Sequence, residues 1–162
     1  QYDRDGMRLE KAGRWLRLTG ENGSVLYSKD SGYLADFSGR FRLAEARLIL
    51  VGQELGLSLR WEVAGGDSTD YTIFAHLYDE AGRLVAQADG YPLRSLFPLR
   101  LARAGEALEE WRDIPVAGLS SGRYRVAVGI YDRQSGRRLP AQDPLGHPWP
   151  EAAVTIAQVS LP

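Results

Sequence analysis

The stretch GLSLRWEV, residues 56–63, alternates between apolar and polar side chains with a period of two. Its apolar positions are Leu57, Leu59, Trp61 and Val63. The stretch YRVAVGIY, residues 124–131, has the same period, with apolar positions Tyr124, Val126, Val128 and Ile130. Successive side chains of a strand point to opposite faces, so both stretches predict strands with one apolar face, and in residues 56–63 the other face lies in water.

The stretch YTIFAHLY, residues 71–78, differs because both of its faces are apolar. A strand of this kind is covered on both sides, or one of its faces carries a ligand or a partner. Weaker strands are predicted at 14–18 and 24–27, around an Asn22-Gly23 hairpin turn, and at 47–51 and 152–159. Residues 41–51 and 104–111 have helix-friendly composition, but we predict mainly strand there, with a helical turn near 106–110 as the alternative.

A faint internal repeat links LYDEAGRLVAQ, residues 77–87, with IYDRQSGRRLPAQ, residues 130–142. Each copy is predicted to be a strand that ends in Tyr-Asp, a short turn capped by the Asp side chain and closed by Gly, and a return strand. Many short strands joined by such turns are typical of an antiparallel β-sandwich. We therefore predict an all-β, immunoglobulin-like sandwich over residues 38–162, with residues 1–37 as a short N-terminal strand or hairpin extension packed on it.

Composition excludes several classes of function. The chain has 162 residues, enough for one good core, and 20 basic against 21 acidic residues, which argues against nucleic acid as a partner. It contains no Cys and only two His, so we expect no metal site and no cofactor. It contains no apolar run near 18 residues, so we expect no direct membrane insertion by this segment. Arginine dominates over lysine and asparagine is nearly absent, as in proteins from GC-rich or thermophilic bacteria.

One motif suggests an enzyme and fails on its context. Residues 118–122 match G-x-S-x-G, but a nucleophile elbow requires a strand before the serine and a helix after it. Here a Pro-containing loop precedes Ser120 and a predicted strand follows it. The motif therefore predicts a polar turn, and we expect no catalytic residues and no enzymatic activity.

Several stretches resemble exported bacterial modules. They are DYTIFAHLYDEAGRLVAQADG (residues 70–90), SGRYRVAVGIYD (residues 121–132) and GRRLP (residues 136–140). Similar modules occur at the C-terminal end of multi-spanning membrane proteins of the glycosyltransferase type in Chloroflexota-like bacteria. The resemblance covers roughly residues 38–159 and implies an immunoglobulin-like sandwich outside the cytoplasm. It leaves open whether the domain is free or tethered to a membrane protein, and it carries no catalytic motif.

The aromatic residues of two strands form the candidate ligand site. If strands 71–78 and 124–131 pair, the small residues Ala127 and Gly129 leave a shallow depression beside bulkier neighbours. We predict that it is lined by Phe74, His76, Tyr78 and Tyr131, since flat rings next to polar groups suit sugars. The competing interpretation is that residues 1–41 or 89–104 cover this stripe. The sequence thus favours a glycan-binding module that binds or positions glycan for an attached membrane enzyme. The alternative is a structural domain that contacts a neighbouring protein domain and has no small ligand.

Overall fold

The computed structural model describes residues 8–12, 15–20 and 23–28 as backbone, and residues 32–92 and 98–162 with their side chains. Of the predicted Asn22-Gly23 hairpin turn, Asn22 lies outside these ranges. The strands within them are β1 (Arg8–Ala12), β2 (Trp15–Gly20), β3 (Gly23–Ser28), β4 (Ala35–Phe37), β5 (Phe41–Val51), β6 (Glu54–Val63), β7 (Tyr71–Tyr78), β8 (Leu84–Gln87), β9 (Ala107–Pro115), β10 (Gly122–Asp132), β11 (Ala141–Gln142) and β12 (Val154–Leu161). Short 3₁₀ turns occur at Leu99–Leu101 and Pro150–Ala152.

These strands form two antiparallel sheets that pack against each other, so the all-β prediction is confirmed. In the larger sheet, β5 pairs with β6 on one side, and β6 pairs with β9. On its other side β5 pairs with β3 and β4 along different parts of its length. Strands β2 and β1 continue from β3, and β11 continues from β4. The smaller sheet has the order β12-β10-β7-β8. Both ambiguous segments are strands, β5 and β9, rather than helix.

The core lies between the sheets and follows the alternation seen in the sequence. The inward positions of β6 and β10 are buried, and the Trp61 ring packs 5.5 Å from the Phe37 ring, measured between centroids. Strand β7 is buried on both faces, as its sequence predicts. Within the range 1–37 predicted as an extension, the residues Leu34, Ala35 and Phe37 are completely buried in this core.

The repeated hairpins have the predicted turn chemistry. The Asp79 carboxylate accepts a hydrogen bond from the backbone N–H of Arg83 at 2.9 Å, and Gly82 has a φ of 78°. In the second copy, the Asp132 carboxylate accepts from the N–H of Gln134 at 2.9 Å, and Gly136 has a φ of 72°. A positive φ costs glycine little, because it has no Cβ. After the first turn the chain returns as β8 beside β7, and after the second turn Arg138 bridges back to Tyr131 of β10.

Candidate functional site

The four predicted site residues lie together on the outer face of the smaller sheet. Phe74, His76 and Tyr78 alternate along β7, and Tyr131 lies on the neighbouring β10. The ring centroids of Phe74 and His76 are 4.7 Å apart, and those of Phe74 and Tyr131 are 6.2 Å apart. The register places Ala127 beside His76 and Gly129 beside Phe74, which is the pairing that the sequence analysis assumed.

Phe74 occupies the space above Gly129. A Cβ atom at Gly129 would overlap the Phe74 ring and would approach the Ala152 carbonyl oxygen to 2.8 Å. The Arg138 guanidinium lies 4.4 Å from the centroid of the Phe74 ring, and Ala153 packs in the same cluster. Phe74 is consequently completely buried, so its ring offers no face to a ligand.

His76 belongs to a chain of polar contacts. Its Nδ1 lies 3.0 Å from the Tyr78 hydroxyl, and its Nε2 lies 3.2 Å from Oδ1 of Asp89. Burial and the charge of Asp89 raise the pKa of Tyr131, which also hydrogen-bonds to that carboxylate. Because both ring nitrogens of His76 have partners, the imidazole holds Tyr78 and Asp89 in place. The sequence reasoning did not find Asp89, whose only signal is an Asp-Gly turn after β8.

Asp89 also lines a groove between β9 and the segment that follows β8. We call it the Trp111 groove; it has a volume of about 250 Å³ and is lined by Ala88, Asp89, Gly90, Tyr91, Trp111, Arg112 and Asp113. Trp111 is 59% exposed, because it points outward from β9 while its neighbours Glu110 and Arg112 point inward. Asp113 lies on the same outward side, two residues along the strand. An exposed indole beside carboxylates is an arrangement suited to the faces and hydroxyls of a sugar.

A buried ion pair holds the two walls of the Trp111 groove together. The Arg112 guanidinium donates hydrogen bonds to the carbonyl oxygens of Ala88 at 2.8 Å and Gly90 at 3.0 Å, and it contacts the Glu110 carboxylate at 2.7 Å. Glu110 also accepts a hydrogen bond from the Trp61 indole. Burial raises the pKa of Glu110, while the Arg112 charge opposes that rise. The groove is therefore pre-formed, with its walls tied by side chain to backbone.

A second groove lies at the other end of this chain of contacts. We call it the Arg125 groove; it has a volume of about 300 Å³ and is lined by Asp79, Glu80, Arg123, Tyr124, Arg125 and Gln158. The Arg125 guanidinium lies 4.6 Å from the centroid of the Tyr78 ring and donates to the Thr155 hydroxyl at 3.2 Å. His76 and Tyr78 thus stand between Asp89 of one groove and Arg125 of the other.

The serine of the G-x-S-x-G match lies in a loop and has no catalytic setting. Residues 118–121 lie in the loop between β9 and β10, as predicted, and Gly122 begins β10. The Ser120 carbonyl accepts a 2.6 Å hydrogen bond from the Tyr124 hydroxyl. Among the residues that the structure describes, no three His, Cys, Asp or Glu side chains cluster as metal ligands would. In the same part of the chain, no helix is long and apolar enough to cross a membrane.

Compared with protein-family models and with curated proteins, the chain shows no match. The resemblance to exported bacterial modules therefore stays a prediction, and the geometry of the two grooves carries the functional argument.

Proposed function

We propose that the chain is a non-catalytic, extracytoplasmic module with an immunoglobulin-like sandwich, which binds glycan and positions it for an enzyme in the membrane. The strand order supports the immunoglobulin-like arrangement, because β5-β6-β9 and β8-β7-β10-β12 pack as two antiparallel sheets joined by crossovers. The Tyr124 hydroxyl, bonded to backbone four residues upstream, supports it too, since such corner tyrosines recur in these sandwiches.

The observation that carries glycan binding is the exposed indole of Trp111 beside Asp89 and Asp113. An aromatic face contacts the C–H-rich side of a pyranose ring, and carboxylates accept hydrogen bonds from its hydroxyls. The groove walls need no rearrangement, because Arg112 already fixes them to each other. A ligand that meets a pre-formed site loses little affinity to ordering of the protein.

In this proposal, the site residues predicted from the sequence support the Trp111 groove and do not contact the glycan themselves. His76 holds the Asp89 carboxylate at the groove, and Tyr131 shares that carboxylate. Tyr78 is half-buried and supports His76 from the opposite side. Phe74 packs against Ala127 and Ala153 beside these residues. His76 is thus a positioning residue for the ligand, and Phe74 is structural.

Binding is tested by titrating the protein with neutral oligosaccharides in a calorimeter, and in the wild type the indole N–H resonance of Trp111 is also followed. Trp111→Ala is expected to weaken binding at least tenfold, which corresponds to about 1.4 kcal/mol, and Trp111→Phe is expected to retain part of the affinity. Leu145→Ala is the matched control, because Leu145 is equally exposed, at 61%, and lies outside both grooves. Equal affinity of the wild type and Trp111→Ala would remove the groove as the glycan site.

A second function has a specific observation behind it. On the outer face of the larger sheet, Ile49 and Trp111 are exposed on either side of β6, where Gly56 has no side chain and Ser58 has a small one. Within the described part of the chain, β9 pairs only with β6, and residues 88–91 lie beside its other edge. Such a surface suits docking on a neighbouring protein domain. Loss of binding to that domain in Ile49→Asp, without any glycan affinity in the wild type, would favour this function.

A further inference from the structure

The Arg125 groove carries two cations whose charges are not balanced by nearby carboxylates. The Arg123 side chain makes no hydrogen bond or ion pair with any residue that the structure describes. Arg125 donates to the neutral Thr155 hydroxyl and stacks on Tyr78, and in the described part of the chain no carboxylate pairs with it. Of the acidic residues lining the groove, Asp79 is already bound by Arg83 at 2.8 Å. Glu80 alone remains to offset the two guanidinium groups.

Arg125 is held in a fixed orientation. Stacking on the Tyr78 ring sets the plane of the guanidinium, and the bond to Thr155 uses one of its donors. Tyr78 is itself held by His76 through a 3.0 Å contact. A planar guanidinium with spare donors recognises a carboxylate through two parallel hydrogen bonds, and little side-chain freedom is lost when it does so.

The rest of the groove selects among anions. The Asp79 carboxylate is paired with Arg83, so the Glu80 carboxylate supplies the repulsion here, and it repels a dianionic phosphate more strongly than a single carboxylate. The same carboxylates and the Gln158 amide can exchange hydrogen bonds with hydroxyl groups. A monoanion that carries several hydroxyls fits this set of partners.

We propose that the Arg125 groove binds the carboxylate of a uronic-acid residue, so that the glycan recognised by this module is acidic. The inference rests on the proposed glycan function and names the class of its ligand. The near-zero net charge of the chain does not oppose it, because the recognition is local to two arginines.

The probes are tri-galacturonate, its methyl ester, which has the same sugar without charge, and inorganic phosphate. Each is titrated into the protein while the Nε–H resonances of Arg123 and Arg125 and the indole N–H of Trp111 are followed. Tri-galacturonate is expected to bind at least tenfold more tightly than the methyl ester and to shift the arginine resonances. Its affinity is expected to fall as the salt concentration rises.

The variants are Arg123→Gln, Arg125→Gln and the exposed control Arg137→Gln, which removes the same charge at the second hairpin. Each groove variant is expected to lower the affinity for tri-galacturonate at least fivefold, and the control less than twofold. Arg123 has no structural partner among the described residues, so Arg123→Gln is expected to leave the fold unchanged. It therefore tests the groove even if Arg125→Gln alters the fold.

Three results would overturn the inference: equal binding of the methyl ester, equal loss in Arg137→Gln, or phosphate binding as tight as that of tri-galacturonate. A neutral glycan that shifts Trp111, while tri-galacturonate leaves both arginines unchanged, would overturn the acidic ligand and leave the proposed function standing. If no saccharide shifts any of the three resonances, both proposals are wrong.

Discussion

Arg112 is a buried cation, with only 7% of its side chain exposed, and its partner Glu110 is fully buried. Replacing Arg112 with Met removes the hydrogen bonds that the guanidinium donates to the Ala88 and Gly90 carbonyls and leaves the Glu110 carboxylate buried without a counter-charge. We expect Arg112→Met to lower the free energy of unfolding by about 3–5 kcal/mol, measured by urea denaturation at neutral pH.

The double variant Glu110→Gln/Arg112→Met is the control for this pair. A neutral amide still accepts the hydrogen bond from Trp61 and costs less to bury than a carboxylate. We expect it to recover part of the lost stability, although the Ala88 and Gly90 carbonyls stay without the arginine. An Arg112→Met protein that unfolds at the same urea concentration as the wild type would show that the ion pair contributes nothing.

Gly129 is required by the position of the Phe74 ring. An alanine Cβ there would overlap the ring and would press on the Ala152 carbonyl. We expect Gly129→Ala to lower the free energy of unfolding by about 1–3 kcal/mol, as overpacking does. Removing the ring relieves the overlap, so Phe74→Ala/Gly129→Ala should be more stable than the sum of the two single variants predicts. Strict additivity in this double-mutant cycle would contradict the direct contact.

At the scale of single elements, the two Tyr-Asp turns make stability depend on pH. Backbone N–H of Arg83 lowers the pKa of Asp79, and the Ser135 hydroxyl and the N–H of Gln134 lower that of Asp132. A carboxyl with a lower pKa in the folded protein stabilises the fold above its unfolded pKa of about 4. That contribution is lost as the pH falls through the folded pKa.

The double variant Asp79→Asn/Asp132→Asn isolates this contribution, since Asn keeps an acceptor oxygen but does not titrate. Between about pH 5 and pH 2 we expect the urea midpoint of the wild type to fall further than that of the variant. Glu110 titrates in both proteins and cancels from the comparison. Parallel pH profiles would mean that the turn carboxylates are not responsible.

Alternation in the sequence predicts β6 and β10, whose side chains are apolar at every second residue, and an apolar run on both faces predicts β7. The same reasoning places Phe74, His76, Tyr78 and Tyr131 on one face, and the structure brings them together. It could not predict that the Phe74 ring fills the depression over Gly129 and is covered by Arg138, which comes from a later hairpin. The sequence did not point to Trp111 as a site residue, because the groove beside it forms only where the edge strand β9 meets residues 88–91. Both features depend on contacts between segments distant in sequence.

At the scale of the whole molecule, the two parts of the N-terminal region have different roles. Strand β3 pairs with residues 45–49 of β5, on the edge of that strand opposite β6. Leu34, Ala35 and Phe37, in contrast, lie inside the core, and Phe37 contacts Trp61. A truncation before β4 removes β3, which covers an edge of β5. A truncation after β4 also removes residues of the core.

A chain of residues 41–162 lacks Leu34 and Phe37, and each large buried side chain contributes about 2–5 kcal/mol. Domains of this size have about 5–15 kcal/mol in total, so we expect this chain to be unfolded by circular dichroism and by proton NMR dispersion. A chain of residues 33–162 keeps the core and is expected to fold. Its β5 edge then lacks a partner at residues 45–49, and open strand edges pair with one another. We therefore expect it to self-associate in sedimentation velocity at concentrations where the full chain does not. A folded 41–162 chain, or an unfolded 33–162 chain, would show that the core begins at a different residue from the one that burial indicates.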